Sequence, residues 1–397
     1  AIVVREAVKR AGIRPEDVEE CIMGNVLPAG LGQNPARQAA LGGGLPDTVS
    51  ALTINKVCGS GMKAVMLASD AILAGREKVI VAGGMENMSS APYLLEKARF
   101  GYKMFDSQIV DSMVRDGLWD VFNNFHMGNT GEIVAQRHNV SRQDADAFSF
   151  RSHQRALAAM KSGAFKDEIV PVEIPSKKGP TVVSVDEGPR EDTSLESLAK
   201  LKPVFRPDGI LTAGNSSSIN DGASALVVMD SDVADGRGIK PLVRVVDYVT
   251  SGTKPELLME APIDAARKLL ERNSLSIGDI DLFEHNEAFS TASVAVQRSL
   301  KVPDERFNVN GGAVALGHPV TEQPGGLPLR HPAPLADLPA LDAPRDPPAP
   351  APLVHPPGAV GPRHHAPPCR LNHSAARRTS TTTRRPSLRT KGRPSVW

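Results

Sequence analysis

The sequence predicts an α/β fold over residues 1–319, and two patterns support this prediction. Short apolar segments rich in β-branched residues, typical of buried strands, occupy residues 79–82, 226–229 and 242–246. Segments with apolar residues at helical spacing separate them, at residues 2–12, 62–74, 132–138, 141–162, 262–273 and 290–300. Strands that alternate with helices in this way are typical of a sheet covered by helices.

Three other segments define the organisation between these elements. Residues 92–125 and 163–210 lack a clear period and are rich in Gly, Pro and charge, so we interpret them as a loop insertion that could cover a large ligand. Residues 230–238 form a polar joint between two halves. The segment Asp281–Asn286 predicts a further strand before a helix over 288–300, which repeats the arrangement around Cys58.

Composition excludes several classes of protein. The chain has 397 residues, of which 41% are apolar, enough for one large or two medium cores. It contains no apolar run of about 18 residues and no secretory leader, so we expect neither membrane insertion nor secretion. Three cysteines argue against a disulfide framework and favour a reducing, cytoplasmic location. A net charge of +1 and an aromatic content of 4% give no reason to expect nucleic-acid binding.

Cys58 is the candidate with the most informative surroundings. A β-branched stretch precedes it, glycines turn the chain after it, and the helix predicted over 62–74 then begins. The free N–H groups and the dipole at a helix N-terminus favour thiolate over thiol. The alternative is a buried cysteine beside a tight turn, and this segment alone does not decide between the two.

Residues 55–61 resemble the nucleophile motif of the thiolase family, in particular that of its biosynthetic acetyl-CoA acetyltransferases. Further segments resemble the family in the same order, at residues 24–27, 32–38, 82–89, 126–128, 213–217, 286–289, 310–313 and 317–319. The resemblance therefore covers residues 1–319. It implies a layered α-β-α-β-α fold built from two duplicated halves: residues 1–232 with the loop insertion, and residues 239–319 as an incomplete second half.

The resemblance also implies roles for three residues at the reaction centre. Cys58 would be the nucleophile, and His318 the general base that activates it and polarises the thioester carbonyl. Asn286 would hold a water or donate toward an oxyanion. Taken alone, His318 could be a solvent-exposed loop histidine and Asn286 the N-cap of the next helix. His285 departs from the family pattern, and we expect its side chain to point away from the site.

Substrate contacts carry over from the same motifs. His126 and Met127 match the acyl pocket, Ala213 and Ser217 the pantetheine contact, and Arg190 and Ser197 the nucleotide end of coenzyme A. Ala288 and Phe289 complete the substrate-binding set. Residues 214–217 could equally be a plain turn. The resemblance implies coenzyme A thioesters as substrates, with no cofactor and no metal.

Residues 320–397 differ from the rest of the chain. They contain 17 prolines, 11 Lys and Arg against 4 Asp and Glu, and no Ile, Met, Phe or Tyr, so we predict disorder. The Cys-x-Gly motif of the family does not occur there, since Cys369 is followed by Arg370 and Leu371. We expect a frameshift after residue 319; a genuine basic tail for anionic partners is the alternative. The family also has a strand before residues 2–12, so we expect truncation at both ends.

The implied activity is the condensation of two acetyl-CoA molecules to acetoacetyl-CoA, and its reverse, through an acetyl thioester on Cys58. We expect this activity to be impaired, because the second catalytic cysteine of the family has no counterpart. A broader-specificity 3-ketoacyl-CoA thiolase and a non-catalytic, basic-tailed binding protein remain alternatives. A ketosynthase would lack the sequence at residues 286–289. The family further implies a role in fatty acid metabolism and a homodimer or homotetramer.

Overall fold

The computed structural model describes residues 1–320 and the backbone of residues 394–396, and it confirms the α/β prediction. The helices are α1 (Ile2–Arg10), α2 (Pro35–Gly42), α3 (Ser60–Leu73), α4 (Met127–Arg137), α5 (Arg142–Ser162), α6 (Leu195–Ala199), α7 (Ser231–Gly236), α8 (Ala261–Arg272), α9 (Ser290–Leu300) and α10 (Ala313–Leu316). The strands are β1 (Glu20–Gly24), β2 (Ser50–Ile54), β3 (Val79–Asn87), β4 (Tyr93–Leu94), β5 (Val110–Asp111), β6 (Trp119–Asp120), β7 (Phe125–His126), β8 (Val172–Ile174), β9 (Thr181–Val183), β10 (Asp221–Asp230), β11 (Val243–Arg244) and β12 (Pro394–Val396).

A six-stranded mixed sheet forms the centre of the fold, in the order β11-β12-β10-β3-β1-β2. Strand β1 runs parallel to both β2 and β3, and β10 runs antiparallel to β3. Parallel neighbours require crossover connections, and the helices α2 and α3 supply them here. The carboxyl end of β2 leads directly into the segment that carries Cys58.

Side chains of successive residues pack on opposite faces of this sheet. One face is covered by α1 and α2, and its buried residues include Val4, Val8, Ala36, Ala39, Cys21, Met23, Val79, Val81, Val227 and Met229. The other face is covered by α3, and its buried residues include Ile22, Ile80, Ala82, Val228, Ala64, Ala68 and Ile72. Successive residues of a strand point to opposite faces, and in these strands the residues on both faces are apolar. This is the pattern of a sheet with helices on each side.

A second core lies among α4, α5, α8 and α9, around the fully buried Phe307. The strand predicted over Asp281–Asn286 is wrong, because only Phe283 makes a bridge there, with Phe307. Beyond Phe283, the side chain of Asn308 replaces a neighbouring strand. Its amide accepts a hydrogen bond from His285 N (2.8 Å) and donates one to His285 O (2.9 Å).

Other predicted elements differ in extent. The strand predicted over 242–246 is limited to β11, and the polar joint at 230–238 is helix α7, whose N-cap Asp230 accepts a hydrogen bond from Asp232 N (2.8 Å). The two regions interpreted as loop contain the short hairpins β4–β5, β6–β7 and β8–β9 and the helix α6. Strands of two or three residues are too short to produce a visible period in the sequence.

The prediction of disorder for residues 320–397 lies outside the described residues, apart from Val320 and the backbone of β12. We expected no strand in this region. Strand β12 nevertheless runs antiparallel to both β10 and β11, with Val396 opposite Val228 and Val243. Its backbone therefore pairs with part of the outer edge of β10, whose N–H and C=O groups would otherwise lack a strand partner.

The turn between β2 and α3 is strained at Val57, which has a φ of 49°. A β-branched residue in the left-handed region is a genuine outlier. Hydrogen bonds hold the turn from both sides: Ser60 Oγ accepts from Lys56 N (2.8 Å) and donates to Val57 O (2.6 Å), and Asn55 Oδ1 accepts from Val57 N (2.9 Å). The next residue, Cys58, is therefore presented by a turn with little freedom to move.

We predict that Val57→Asn stabilises the protein, because asparagine adopts positive φ values at lower cost and Val57 is 45% exposed. The free energy of unfolding, measured with urea, should rise by about 1 kcal/mol. Val185→Asn is the matched control, since Val185 is 63% exposed and lies outside the left-handed region. Equal effects of the two substitutions would show that the turn at Val57 stores no strain.

Candidate active site

Cys58 lies immediately before Gly59, the N-cap of α3, and it is half-buried. It packs against a buried apolar cluster formed by Val26, Leu27, Met88 and Val320. Burial raises the pKa of the Cys58 thiol to about 11, although a backbone hydrogen bond acts in the opposite direction. Loss of hydration therefore favours the thiol over the thiolate predicted from the helix N-terminus.

The loop beside Cys58 is fixed by the buried carboxylate of Glu86. This carboxylate accepts hydrogen bonds from Asn25 Nδ2 (2.9 Å), Val26 N (2.8 Å) and Leu27 N (3.3 Å). Asn55 Nδ2 reaches Val26 O at 3.5 Å from the other side. Glu86 thus holds the apolar surface on which Cys58 packs, because its carboxylate accepts hydrogen bonds from the backbone of that loop.

The structure brings His318 and Asn286 together. Nε2 of His318 lies 3.2 Å from Nδ2 of Asn286. His318 is 6% exposed, and burial lowers the pKa of its imidazole to about 4, so the ring is neutral near neutral pH. His318 is therefore not a solvent-exposed loop histidine. Asn286 is not a helix N-cap either, since Phe289 occupies that position for α9.

Two contacts fix the backbone at His318. The N–H of His318 donates to Ser218 O (3.2 Å). The preceding Gly317 has a φ of 92°, and a Cβ there would overlap the amide of Asn220. That amide, oriented with its nitrogen toward Ser218, donates to Ser218 O at 2.9 Å. Only glycine fits between α10 and His318 at this position.

Val320 connects the two parts of the candidate site. It is 1% exposed and belongs to the apolar cluster on which Cys58 packs, two residues after His318. The segment that carries His318 and the turn that carries Cys58 are therefore joined through this one cluster, although the two residues lie far apart in the sequence.

Most of the predicted acyl and pantetheine contacts also converge. Ser217 donates to Ala288 O through both its N–H and its Oγ, each at 3.1 Å. Phe289 is 8% exposed and lies edge-on to Phe205, with 5.7 Å between the ring centroids. The same Phe205 stacks on His126 at 4.9 Å. The rings of Phe289, Phe205 and His126 therefore form one continuous aromatic stack.

His126 and Met127 lie at the junction of β7 and α4. His126 is the N-cap of α4, and its Nδ1 accepts a hydrogen bond from Gly128 N (3.0 Å). Burial lowers the pKa of His126, so its ring is neutral. Met127 is half-buried as the first residue of the helix. The interpretation of His126 as an acyl-pocket residue is compatible with this capping role.

The three remaining predicted contacts are exposed. Arg190 pairs with Asp192 at 3.1 Å, and Ser197 forms a capping box with Ser194 at the start of α6. Ala213 lies on a turn against which α6 packs, since a Cβ on Gly214 would overlap side chains of that helix and the residues that follow it. The structure shows a local structural partner for Arg190 and Ser197, and it leaves their role toward coenzyme A untested.

Phe205 and Asn220 were not predicted from the sequence. Phe205 lies in a region without period, where nothing marks one aromatic residue as part of a site. Asn220 lies three residues beyond the quoted motif at 213–217, and its contact with Gly317 depends on tertiary structure. His285, in contrast, contacts Ser293 Oγ (3.0 Å) and stacks on Phe307, away from His318.

The arrangement suits acyl transfer by a thiol. A neutral thiol lies close to a segment that carries a neutral imidazole, which can accept its proton. Nδ1 of His318 and Oδ1 of Asn286 are buried without a hydrogen-bond partner among the described residues. Buried polar atoms usually find partners, so both side chains retain hydrogen-bonding capacity that no described residue uses.

Among residues 1–320, no group of three or more His, Cys, Asp or Glu side chains could hold a metal ion. No helix within the same range is long and apolar enough to cross a membrane.

Comparison with known proteins identifies the family. The family model of the thiolase N-terminal domain matches residues 1–232, and that of the thiolase C-terminal domain matches residues 239–325. A probable acetyl-CoA acyltransferase of Staphylococcus aureus (strain COL) is 50% identical over 321 residues, 81% of this chain and 82% of that protein. A Staphylococcus epidermidis (strain ATCC 12228) protein of the same description is 48% identical over the same coverage.

A solved structure agrees with these relatives. The crystal structure of the Bacillus anthracis acetyl-CoA acetyltransferase superimposes with a TM-score of 0.79 and 42% sequence identity, over 82% of each chain. The fold of residues 1–320 is therefore a thiolase fold, and the chain belongs to the thiolase family of acyltransferases.

Proposed function

We propose that this chain transfers an acetyl group from acetyl-CoA to Cys58, the first half-reaction of an acetyl-CoA C-acetyltransferase. The observation that carries the proposal is the 3.2 Å contact between Asn286 and a buried, neutral His318, on a segment that packs beside Cys58. The names of the relatives agree with this substrate, since they are described as acetyl-CoA acyltransferases and an acetyl-CoA acetyltransferase.

In the first step, Sγ of Cys58 attacks the thioester carbonyl while the thiol proton moves to the imidazole of His318. A new S–C bond forms on Cys58, the bond between the carbonyl and the coenzyme A sulfur breaks, and the proton returns to the leaving sulfur. Asn286, His318 and a bound water are suited to stabilise the oxyanion, because such donors in a dry site contribute about 3 kcal/mol each.

For this sequence, the second step, the condensation, lacks the residue that the resemblance requires for it. Condensation requires a base that removes the α-proton of a second acetyl-CoA, and the resemblance assigns this role to a cysteine in a Cys-x-Gly motif. The sequence after residue 319 contains only Cys369, followed by Arg370 and Leu371. We therefore propose that acetyl transfer to Cys58 is retained and that formation of acetoacetyl-CoA is strongly impaired.

Coenzyme A is proposed to bind along the predicted contacts. The acyl group would lie against His126, Met127 and Phe289, and the pantetheine arm along the Ser217–Ala288 pair. The exposed Arg190 is suited to the phosphates of the nucleotide end. A 3-ketoacyl-CoA thiolase with longer substrates remains the second candidate, because the same residues would serve it.

We also propose a cytoplasmic homodimer or homotetramer with a role in fatty acid metabolism. One observation supports self-association. Strand β2 is the outermost strand at one end of the described sheet, and Leu52 on it is 43% exposed. An exposed edge strand pairs readily with another chain. Sedimentation velocity would measure the state, and a monomer at micromolar concentration would contradict this part of the proposal.

The assignment of Cys58 is tested by alkylation. Iodoacetamide should modify half-buried Cys58 faster than Cys21, which is 0% exposed and whose pKa burial raises to about 12. Acetyl-CoA should protect Cys58, because the acetyl thioester removes its thiol. Peptide mass spectrometry distinguishes the cysteines. Equal rates for Cys58 and Cys21 in a folded sample, or no protection, would refute the assignment of the nucleophile.

The separation of the two steps is tested with radiolabelled acetyl-CoA. A folded sample should incorporate label at Cys58 and make no detectable acetoacetyl-CoA, because loss of a general acid–base group typically costs 10²–10⁴-fold. Cys58→Ser is the control and should abolish incorporation. Normal condensation would show that another residue replaces the second cysteine. Failure of both steps in a sample with native circular dichroism would reject the proposed first step.

A further inference from the structure

The carboxylate of Glu287 joins three separate elements in the interior of the protein. Glu287 is 1% exposed and lies between Asn286 and Ala288 in the chain. Its carboxylate accepts hydrogen bonds from Ser152 Oγ on α5 (2.6 Å), from Asn308 Nδ2 (2.7 Å) and from Val314 N on α10 (3.1 Å). Sequence analysis assigned no role to it.

One of these hydrogen bonds fixes the backbone around Asn286. Asn308, 2% exposed, donates to Glu287 Oε1 and pairs with both backbone groups of His285. The residues on either side of Asn286 are therefore held by one pair of side chains, Glu287 and Asn308. On the far side, Phe289 bridges to Ser216 and Ala288 O accepts from Ser217 N, so the Glu287–Asn308 pair supports the half of the segment before Asn286, where no strand follows Phe283.

The other two hydrogen bonds fix the start of α10. Glu287 Oε2 accepts from Val314 N, and Ser152 Oγ, itself bonded to Glu287, accepts from Gly312 N at 3.1 Å. Gly312 lies so close that a Cβ on it would overlap the carboxylate. Helix α10 is only four residues long and ends two residues before His318, so an anchor at its start also determines where His318 lies.

We propose that Glu287 is a positioning residue that holds Asn286 and His318 at hydrogen-bond distance. This inference rests on the proposed function, because it assigns Glu287 to the acetyl-transfer step. Glu287 touches neither Cys58 nor a ligand in this role and acts only through the two neighbours that it anchors. A carboxylate is suited to it, since a single acceptor of this type satisfies three donors at once.

The surroundings of Glu287 make the ionised form of its carboxylate energetically costly. Burial raises the pKa of Glu287, and the hydrogen bonds from Asn308, Ser152 and Val314 lower it. Arg151 and Arg155 on α5 act on it from one side, and Glu284 lies near it with its own pKa raised to about 8 by burial. Three convergent donors are what such a buried group requires.

Glu287→Gln tests the proposal, with Glu284→Gln as the matched control. The glutamine amide keeps the shape but turns an N–H₂ group toward a donor. Two readouts are needed: the rate constant of Cys58 acetylation in a single turnover, and the titration of the His318 ring by nuclear magnetic resonance. The second readout does not depend on activity, so a failure of the proposed function is distinguished from a failure of this inference.

We expect Glu287→Gln to lower the acetylation rate constant by about 10–100-fold while the acetyl-CoA concentration at half-saturation changes less than about threefold. The pKa of His318, about 4 in the parent protein, should rise toward its ordinary value because a displaced ring regains water. Glu284→Gln should leave both quantities unchanged, since Glu284 is already protonated near neutral pH.

Ser152→Ala provides a second variant in case Glu287→Gln does not fold. It removes one donor to Glu287 and the acceptor for Gly312 N, so the same two effects should appear at reduced size, about 3–10-fold in rate. A folded Glu287→Gln or, failing that, a folded Ser152→Ala with parental acetylation and parental His318 titration would overturn the proposal. A rise in half-saturation alone would also overturn it.

Discussion

The candidate site depends on the removal of water from two titratable groups that have no charged partner. Cys58 packs on an apolar cluster and His318 is buried beside Asn286, and burial moves their pKa values in opposite directions, to about 11 and about 4. Each group is therefore neutral near neutral pH. A neutral thiol and a neutral imidazole do not form an ion pair. The thiol becomes nucleophilic only when its proton is transferred.

The surrounding structure holds Cys58 and His318 in fixed positions. The strained turn at Val57 presents Cys58 at the end of β2, and Glu86 fixes the loop on which the thiol packs. On the other side, Glu287 holds the start of α10 and Asn220 lies against Gly317. Glu86 on the side of Cys58 and Glu287 on the side of His318 are both buried carboxylates that accept hydrogen bonds from backbone N–H groups. Hydrogen bonds to a buried carboxylate, and not apolar packing alone, therefore position the segments that carry Cys58 and His318.

Sequence patterns were sufficient for the main elements, and the family motifs pointed to residues that the structure brings together. Helix α9 has the predicted bounds, and β3 and β10 contain the predicted strands, because their apolar periods reflect burial on known faces. Asn286 and His318 were found through motifs, and the structure brings them to 3.2 Å. The ionisation state of Cys58 could not be predicted, because it depends on desolvation by Val26, Leu27, Met88 and Val320.

The predictions that failed share a physical cause. The strand over Asp281–Asn286 is replaced by side-chain bonds from Asn308, more than twenty positions away, and no local pattern reports such a substitution. The roles of Phe205, Asn220 and Glu287 likewise follow from tertiary contacts between segments far apart in sequence. The period of apolar residues in a sequence indicates which positions are buried. The residues named here are important because of the particular neighbour that each contacts.

The central claim is that Cys58 and His318 both rest in their neutral forms. A pH titration of thiolate ultraviolet absorbance, as the difference between the parent protein and Cys58→Ser, tests it directly. Because burial raises the pKa to about 11, only about one percent of Cys58 should be ionised two pH units below that value. A full thiolate signal near neutral pH, lost on acidification together with the charge on His318, would show a resting ion pair and contradict the account.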